Sequence, residues 1–512
     1  MLFNSYIFIF VFLPATLVLY HYLQSRKKQR AAITTLVLAS LFFYGWWNPA
    51  YLLLLGLSVL FNYKIGRILS KKPTQNKTLL IIGIAANLSA LGYFKYANFF
   101  LGSIATMANH EYDSLHIILP LAISFFTFQQ ISYLMDAHQG SAHDYNFIHY
   151  CLFVTFFPQL IAGPIVHHKE MMPQFDKPLS DRHRFISIGF TIFIIGLFKK
   201  VMIADSLGIY ASPVFHDAAM GYSPYFFEAW GAALAYTFQL YFDFSGYSDM
   251  AVGLAYMFGI SLPINFLSPY KASNIIDFWR RWHITLSRFL RDYLYIPLGG
   301  NRKGIARRYV NLFITMLLGG LWHGANWTFI VWGGLHGFFL CINHGWHAMR
   351  KRYNFSPMDS RSGKTLAWIT TFLCITVSWV VFRAENWLAA EQMLSGMAGL
   401  HGITLKASLF DKLGLLGPWL QSMGVIFTPT SEYNQHLINQ LLAAITIAFL
   451  LPNTYEFFGR YSPAILNNEP SLQSRKYLAW KPSVVWAIGT LILAIWTISS
   501  MSSVSEFLYY QF

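Results

Sequence analysis

Charged side chains are scarce in this 512-residue sequence. Asp, Glu, Lys and Arg make up 12% of it, against about 25% in soluble globular domains. Hydrophobic residues make up 55% and the mean hydropathy is +0.41. A water-soluble fold would have to bury repeated apolar runs of about 18 residues or more, which are expected instead where lipid is the solvent. The composition therefore excludes an ordinary soluble domain and predicts a membrane protein.

Cysteines are also few, and they form no recognisable pattern. Cys151, Cys341 and Cys374 include no closely spaced pair, and each lies in an apolar stretch where a small hydrophobic residue is expected. Neither a glycine-rich phosphate loop nor a GxSxG nucleophile motif is present. We therefore expect no disulfide, no zinc site and no cysteine nucleophile, and nothing supports ATP hydrolysis or serine-hydrolase chemistry.

The net charge of +15 comes from short basic clusters between the apolar runs. This distribution is typical of topology signals rather than of a nucleic-acid-binding face, so we expect no nucleic-acid partner. By the positive-inside rule the clusters are cytoplasmic, whereas the loop at 205–227, which has no Lys or Arg, is external. The clusters lie at 26–30, 64–77, 167–184, 271–308, 350–364 and 460–481.

Thirteen apolar segments are candidates for membrane spans, and the sequence predicts an all-α, multi-pass protein. We treat residues 1–512 as a single domain, with an external loop elaboration at 384–436. One of the segments between residues 93 and 166 has to be re-entrant or incomplete for the topology to be consistent. The segments are 6–23, 31–47, 49–64, 78–93, 115–135, 147–163, 186–204, 228–259, 310–322, 327–347, 366–382, 437–452 and 483–501.

Two segments depart from this pattern. Residues 274–296 place Phe278, Trp282 and Phe289 near one helical face, which predicts an amphipathic helix at the cytoplasmic interface. The run at 310–322 would be roughly 20 Å long as a helix, too short for a hydrocarbon core of about 30 Å. Its end, the sequence GGLWHG around His323, should therefore lie inside the membrane at the floor of an aqueous pocket.

Carboxylates in an apolar span are costly and need an explanation. Gln239 and Asp243 are four residues apart on one helical face, and Asp249 points elsewhere. Two interpretations are open. These polar residues hold the helices together, for example by pairing with Lys199 or Lys200, or they take part directly in chemistry.

His323 is the first candidate for chemistry. An imidazole exchanges protons near neutral pH, so it can accept a proton from a hydroxyl nucleophile and return it to a leaving group. The flanking glycines make its backbone approachable, but a single membrane histidine is also common as a packing residue. A metal site with His336 is not expected, because a helix over 327–347 would place His336 about 15 Å from the turn at His323.

Several longer stretches resemble the membrane-bound O-acyltransferases, and within them the bacterial alginate O-acetylases, with the peptidoglycan O-acetyltransferases as near relatives. The stretches span more than half of the chain. They are GYFKYANFF at 92–100, residues 119–136, FFPQLIAGP at 156–164, residues 196–205, YTFQLYFDFSGYSDMA at 236–251, FWRRWHITLSRFLRDYLYIPLGGNR at 278–302, LLGGLWHGANW at 317–327, residues 332–337, and Phe382 with Arg383.

The resemblance implies site residues and a fold. His323 matches the family's catalytic histidine, His283 matches the second histidine of the bacterial branch, and His336 lies in a further family-like stretch. The implied fold is a ring of about 11 to 13 membrane segments, with re-entrant and interfacial helices around a thinned centre. There a cytoplasmic donor and an external acceptor would meet near His323.

The resemblance also implies a reaction. Acetyl-CoA or another acetyl thioester would approach Arg280 and Arg281, His323 would act as general base, and Asn326 and Trp322 are candidates beside the donor or the oxyanion. We expect no bound cofactor and no metal. The acetyl group would cross the bacterial inner membrane to an exported or periplasmic acetyltransferase partner and then to a polysaccharide, such as alginate or a similar exopolysaccharide.

Other functions remain open at this stage. Peptidoglycan O-acetylation would use the same chemistry. A polysaccharide or lipid transporter would suit many spans and a buried Asp243, but it predicts an internal repeat, and none is visible. A scaffold for a polysaccharide export complex predicts that the abundance of the protein matters and that His323 does not.

Overall fold

The computed structural model describes residues 1–142, 145–177, 179, 181–354, 360–428, 435–466, 479–501, 507 and 508. Most of these residues are helical, as the sequence predicts. The helices in chain order are α1 Phe8–Ser25, α2 Gln29–Gly45, α3 Ala50–Lys71, α4 Lys77–Met107, α5 Ile123–His138, α6 Phe147–Thr155, α7 Phe157–Leu160, α8 His168–Met171, α9 Arg182–Ala219, α10 Phe226–Met257, α11 Ile275–Arg281, α12 Ile284–Leu290, α13 Ile305–His323, α14 Trp327–Tyr353, α15 Arg361–Arg383, α16 Trp387–Met397, α17 Ala407–Phe410, α18 Leu416–Ser422, α19 Gln435–Leu450, α20 Thr454–Phe457 and α21 Val484–Ser499.

Five helices in the described part of the chain are long and apolar enough to cross a membrane, namely α1, α3, α4, α9 and α15. Helices α19 and α21 are apolar but shorter. Large apolar side chains on these helices are exposed, such as Val18 at 71% and Leu53 at 70%. Such surfaces are stable against lipid and not against water. The chain is therefore a membrane protein, while the ring of 11 to 13 segments, the thinned centre and the single domain over 1–512 stay predictions.

Helix α10 is the buried centre of the helical assembly. Every residue from Ala235 to Met257 is buried, so this helix is covered on all sides by other helices. Its neighbour α9 approaches with backbone contact at two glycine pairs. A Cβ atom at Gly189 would lie 2.5 Å from the carbonyl oxygen of Gly253, and one at Gly196 equally close to that of Gly246. Small residues at such crossings allow two membrane helices to pack closely.

The loop expected at 205–227 is mostly helix, because α9 continues to Ala219. Leu207, Ala211 and Phe215 on this extension are buried. Asp205 at its start pairs with Lys200 one turn earlier. The absence of Lys and Arg from 205–227 therefore does not mark a loop, because most of this segment is a packed helix.

The segment expected as one span at 147–163 is broken into α6 and α7 at Phe156, where the backbone leaves the helical region.

The expected external elaboration at 384–436 contains α16, two short helices and two strands, although residues 429–434 lie outside the described part. Strands β1 Ile403–Lys406 and β2 Val425–Thr428 pair in parallel, with Ile403 opposite Val425. The all-α expectation missed this small sheet. Of the basic cluster at 460–481, residues 467–478 likewise lie outside the described residues.

The amphipathic helix predicted over 274–296 is wrong as a single element. The segment forms α11 and α12, separated at Trp282 and His283, and a π-helical turn at Arg291–Tyr295 follows. His283 has a φ of +42°, which ends one helix and redirects the chain before the next. The apolar residues Phe278, Trp282 and Phe289 are buried against protein, so the face that suggested a membrane surface packs into the core.

The prediction of a short span before His323 is also wrong in length. Helix α13 begins at Ile305 and has 19 residues, or about 28 Å at 1.5 Å per residue. The apolar run used for the prediction starts at residue 310, but Arg307 and Arg308 lie in the first turn of the helix. The helix therefore begins before the apolar run does. Length therefore gives no reason to place His323 at mid-membrane. His323 is nevertheless the last helical residue, and Gly324 follows in extended conformation.

Two glycines bring α13 and α14 into contact beside His323. A Cβ atom at Gly333 would lie 2.3 Å from the carbonyl oxygen of Met316, and one at Gly320 would lie 2.2 Å from that of Phe329. At distances this short, a side chain at either position could be accommodated only if the backbone moved. Close contact of the two helices therefore sets how His323 on α13 faces Trp332 on α14.

We expect Gly333→Ala to destabilise this helix pair by about 1 to 3 kcal/mol, the usual cost of overpacking, and to reduce activity. The neighbouring Gly334→Ala is the matched control, because its Cβ would meet only Leu317 and Phe313 side chains at 3.5 and 3.8 Å. Thermal inactivation of the two purified variants measures the difference. Equal stability of both would show that the contact at Gly333 is not limiting.

Candidate active site

The His323 side chain is buried in a ring of aromatic side chains. His323 is 6% exposed, and its ring centroid lies 5.0 Å from that of Trp322, 5.2 Å from that of Trp332 and 5.3 Å from that of Phe382. All three contacts are edge-to-face, with interplanar angles between 71° and 88°. The rings exclude water and hold the imidazole in one orientation, which suits a base that acts at a fixed point.

His283 lies next to His323, with ring centroids 6.3 Å apart. Its Nδ1 lies 3.1 Å from the side-chain oxygen of Asn265, which also accepts hydrogen bonds from the backbone N–H and hydroxyl of Thr285. Because that oxygen is an acceptor, Nδ1 of His283 donates to it and Nε2 is the basic nitrogen of the neutral ring. The structure therefore brings two sequence-predicted histidines together, although His283 lies between α11 and α12 and His323 ends α13. Nothing in the sequence singled out Asn265.

His336 lies on the far side of Trp332 from His323. Its ring centroid is 4.7 Å from that of Trp332, and the residue is fully buried. Nδ1 accepts a hydrogen bond from the indole N–H of Trp279 at 3.2 Å, and Nε2 lies 3.0 Å from the hydroxyl oxygen of Ser378. Both ring nitrogens are thus engaged by neighbouring helices, an arrangement suited to holding the aromatic cluster together.

The two candidates near the oxyanion have different surroundings. Trp322 stacks on Phe128 with centroids 5.2 Å apart and planes at 17°, so it forms one wall beside His323. Asn326 caps α14: its side-chain oxygen accepts from the N–H of Thr328, and its amide nitrogen donates to the carbonyl oxygen of Glu385. The oxygen and one N–H of Asn326 are therefore used structurally, and its oxyanion role stays a prediction.

A cavity of about 1010 Å³ lies on one side of this cluster, and we call it the basic cavity. Its lining reaches Trp279, whose ring centroid is 6.0 Å from that of Trp332, and Ile284, the neighbour of His283. It contains six cationic side chains and two acidic ones, Asp277 and Glu456. The cationic residues are Lys271, Arg280, Arg281, Arg288, Arg291 and Arg308.

Three arginines of this lining, of which Arg281 was predicted to bind the donor, already pair with carboxylates. Arg281 contacts Asp277 at 2.9 Å and Arg291 contacts Asp292 at 2.7 Å. Arg288 holds Glu170 with two hydrogen bonds of 2.8 Å. These pairs fix the guanidinium groups along the cavity wall, and the excess of cationic residues leaves the cavity attractive to an anion.

A second cavity of about 1010 Å³ lies on another side of the cluster, and we call it the mixed-charge cavity. Phe382, whose ring contacts that of His323, and Phe329 belong to its wall, as does Asn326. Its other lining residues are Asn4, Lys200, Val201, Asp205, Ser206, Gly208, Ile209, Ser212, His216, Gln239, Arg383, Ala384, Glu385, Ser500, Met501 and Leu508. His323 itself lines neither cavity. It belongs to the aromatic partition between them, where its ring contacts Phe382 of the mixed-charge wall and, through Trp332, is connected to Trp279 of the basic wall.

The buried carboxylates of α10 pair with the two lysines considered from the sequence. The ammonium of Lys200 lies 2.7 Å from a carboxylate oxygen of Asp243 and 2.7 Å from one of Asp205. That of Lys199 lies 2.6 Å from a carboxylate oxygen of Asp249. A π-helical turn in α9, Lys199–Ala204, presents both lysines to α10. These contacts join α9 to α10 beside the mixed-charge cavity, whose wall includes Gln239.

A second buried polar cluster was not anticipated from the sequence. Asp136 on α5 accepts from the hydroxyl of Tyr293 at 3.0 Å and lies 2.9 Å from Nε2 of His168. The Tyr293 hydroxyl also lies 3.0 Å from Nδ1 of His167. Burial lowers the pKa of His167 to about 3, so its ring is neutral at cellular pH. The cluster anchors the segment that follows α12 to α5. Tyr293 lies 157 residues after Asp136, so local patterns could not reveal the cluster.

Among the described residues, no group of three or more His, Cys, Asp or Glu side chains is arranged to hold a metal ion.

Lys95 is the functional candidate that the sequence reasoning passed over. It lies inside the quoted stretch at 92–100, and its ammonium reaches the end of α13 at His323. The predicted span ended at residue 93, so the cost of a charge inside a span was not considered for Lys95, whereas the helix continues to Met107.

Comparison with known proteins identifies the relatives of this chain. The model of the membrane-bound O-acyltransferase family matches residues 138–383, which include all three histidines discussed above. The chain is 49% identical to a peptidoglycan O-acetyltransferase of Helicobacter pylori over 79% of this chain and 81% of that protein. It is 40% identical to a probable alginate O-acetylase of Pseudomonas putida over the full length of both. Similarity extends to a teichoic acid D-alanyltransferase of Bacillus subtilis, at 28% identity over 56% of this chain and 75% of that protein.

Proposed function

The chain belongs to the membrane-bound O-acyltransferase family, and from that premise we propose that it passes acetyl groups from a cytoplasmic thioester across a bacterial inner membrane for O-acetylation of an exported polysaccharide. The protein is an O-acyltransferase, so the transporter alternative has no further support. The observation that carries the proposal is the position of His323 between the basic cavity and the mixed-charge cavity.

The basic cavity is the proposed donor site. Its cationic lining suits the phosphate groups of acetyl-CoA, our choice of donor, because arginine pairs well with phosphate oxygens. The residues that line it belong mainly to the basic cluster at 271–308, which the positive-inside rule places in the cytoplasm. The thioester would enter from that side and reach the partition near His283.

The mixed-charge cavity is the proposed acceptor site. Its hydroxyl, amide and carboxylate groups suit an acceptor that carries hydroxyls. His323 takes the proton from the acceptor hydroxyl as its oxygen attacks the thioester carbonyl. The tetrahedral intermediate collapses, the carbon–sulfur bond breaks, and the thiolate receives the proton from His323. The proton balance closes, and no other reactant is required.

An alginate-like exopolysaccharide is our proposed final acceptor, reached through an exported or periplasmic acetyltransferase partner. The full-length similarity to probable alginate O-acetylases supports this choice. Peptidoglycan is the second candidate, because the Helicobacter pylori relative, at 49% identity, carries that name.

The experiment has a cellular and a purified arm. Ester-linked acetate is measured separately on the exopolysaccharide and on the peptidoglycan of cells that lack the protein. We expect loss of acetate from the exopolysaccharide alone, whereas loss from peptidoglycan alone would select the second candidate. Unchanged acetate on both would contradict the proposal.

The purified arm tests the direction of transfer. Replacing Cys151, Cys341 and Cys374 gives a cysteine-free protein, in which a single Lys303→Cys or Glu391→Cys reports orientation in liposomes through an impermeant thiol reagent. Both positions are exposed, Lys303 near the basic cavity and Glu391 on α16. With the periplasmic partner and an alginate oligosaccharide supplied on the Glu391 side, we expect acetyl transfer only when acetyl-CoA is on the Lys303 side. Transfer with donor on the Glu391 side would reverse the proposed direction.

A further inference from the structure

Lys95 places an ammonium group inside helix α4, which is long and apolar enough to cross a membrane. It lies on α4, in a π-helical turn at Gly92–Tyr96, and the side chain extends into the protein. Placing a lysine at the centre of a membrane helix costs about 2.5 to 3.5 kcal/mol on insertion scales, so such residues are functional candidates. π-helical turns also occur frequently at functional sites, because they redirect side chains out of the regular helical pattern.

The ammonium of Lys95 is bound to the end of the helix that carries His323. It donates to the carbonyl oxygen of Trp322 at 2.7 Å, to that of His323 at 3.0 Å and to the hydroxyl of Ser124 at 3.4 Å. These three bonds account for all three N–H groups of the ammonium. Within the described part of the chain no carboxylate lies at ion-pair distance from it, so its charge acts on neutral groups.

The neighbouring Tyr96 binds the same helix end without a charge. Its hydroxyl donates to the carbonyl oxygen of Leu321 at 2.8 Å. The last carbonyl groups of a helix have no partner within the helix, and their dipoles favour a cation nearby. Lys95 and Tyr96 together bind three consecutive carbonyls of α13, which fixes the backbone from which the His323 side chain extends.

We propose that Lys95 is a positioning residue for His323, whose ammonium holds the last carbonyl groups of α13 in place and presents a positive charge beside the imidazole. This inference rests on the proposed function. The other titratable side chains that act on the His323 ring are His283 and His336. In the ammonium form that donates these three hydrogen bonds, Lys95 places a positive charge beside that ring. The same charge lowers the energy of an anionic tetrahedral intermediate formed beside His323.

The test compares Lys95→Met with Tyr96→Phe. Methionine keeps the length of the side chain and inserts easily into lipid, but it has neither charge nor donor. Tyr96→Phe removes one neutral hydrogen bond to the same helix end and leaves the charge. Both proteins are purified in liposomes, and kcat, KM for acetyl-CoA and the pH dependence of the rate are measured beside the unmodified protein.

For Lys95→Met we expect kcat to fall on the order of 10²-fold with little change in KM, as for a small displacement of a reacting group. Without the positive charge His323 accepts a proton more easily, so the acidic limb of the rate profile should move to higher pH by about one unit. Tyr96→Phe should lose less than about tenfold in kcat, with no movement of the profile.

Three outcomes separate the possibilities. If the two variants lose activity equally and neither profile moves, Lys95 is merely a structural tie and the inference is overturned. Inactivity of the unmodified protein with acetyl-CoA would instead refute the proposed function. In that case the reaction of the His323 ring with diethyl pyrocarbonate, followed against pH by mass spectrometry, still tests whether Lys95→Met changes its protonation. An unchanged dependence there would also overturn the inference.

Discussion

Replacement of His323 by alanine is expected to lower kcat/KM on the order of 10²- to 10⁴-fold, the usual contribution of a positioned general base. The reason is geometric as well as chemical. The side chain lies in the partition between the two cavities and contacts Phe382 in the wall of one of them. Within the described residues, the other histidine close enough to act as a base in its place is His283, whose neighbour Ile284 lines the basic cavity.

His21→Ala is the matched control for this variant. His21 also lies on a membrane helix, half-buried, with Nε2 3.1 Å from the carbonyl oxygen of Met257. Its loss removes one hydrogen bond worth about 1 kcal/mol and should leave the rate per folded molecule unchanged. Acetyl transfer is normalised to the amount of inserted protein. If the His323 variant keeps the rate of the His21 variant, His323 is not the base.

Asp243→Leu is expected to destabilise the folded protein by about 3 to 5 kcal/mol, the cost of breaking a buried ion pair from one side. Asp243 and Lys200 are 2% and 1% exposed, so the lysine cannot recover the lost interaction from water. Asp205 remains within 2.7 Å of Lys200 and limits the loss. Thermal inactivation in detergent and the yield of inserted protein measure the effect.

The double variant Asp243→Leu with Lys200→Met tests the reason for that loss. Replacing a whole buried pair by apolar residues is often neutral, so this variant should recover most of the stability lost in Asp243→Leu. Asp205 tolerates the change because its side chain is 28% exposed at the mixed-charge cavity. Failure of the second substitution to restore stability would mean that Asp243 acts through other contacts, such as the one it makes with the N–H of Leu508.

Local sequence patterns predicted the helical class and the helix end at His323 correctly. They were wrong about 274–296, because an apolar helical face looks the same whether it meets lipid or protein. Here the face of Phe278 and Trp282 packs against Trp379, with ring centroids 6.4 and 4.9 Å from it. They were wrong about the length of α13, because Arg307 and Arg308 lie at a helix start that the hydropathy pattern excluded.

The sequence by itself made His323 a candidate for catalysis, because a histidine between glycines at the end of an apolar run carries a chemical signal within a few residues, and its catalytic role stays a prediction. Low charge and long apolar runs likewise settled that lipid is the solvent. Only the tertiary structure decided what surrounds that histidine. His283, Phe382 and Lys95 meet it from helices up to 228 positions away. Such contacts depend on how helices cross at glycines and on where π-helical turns direct side chains. The periodicity of a local sequence segment predicts neither of these.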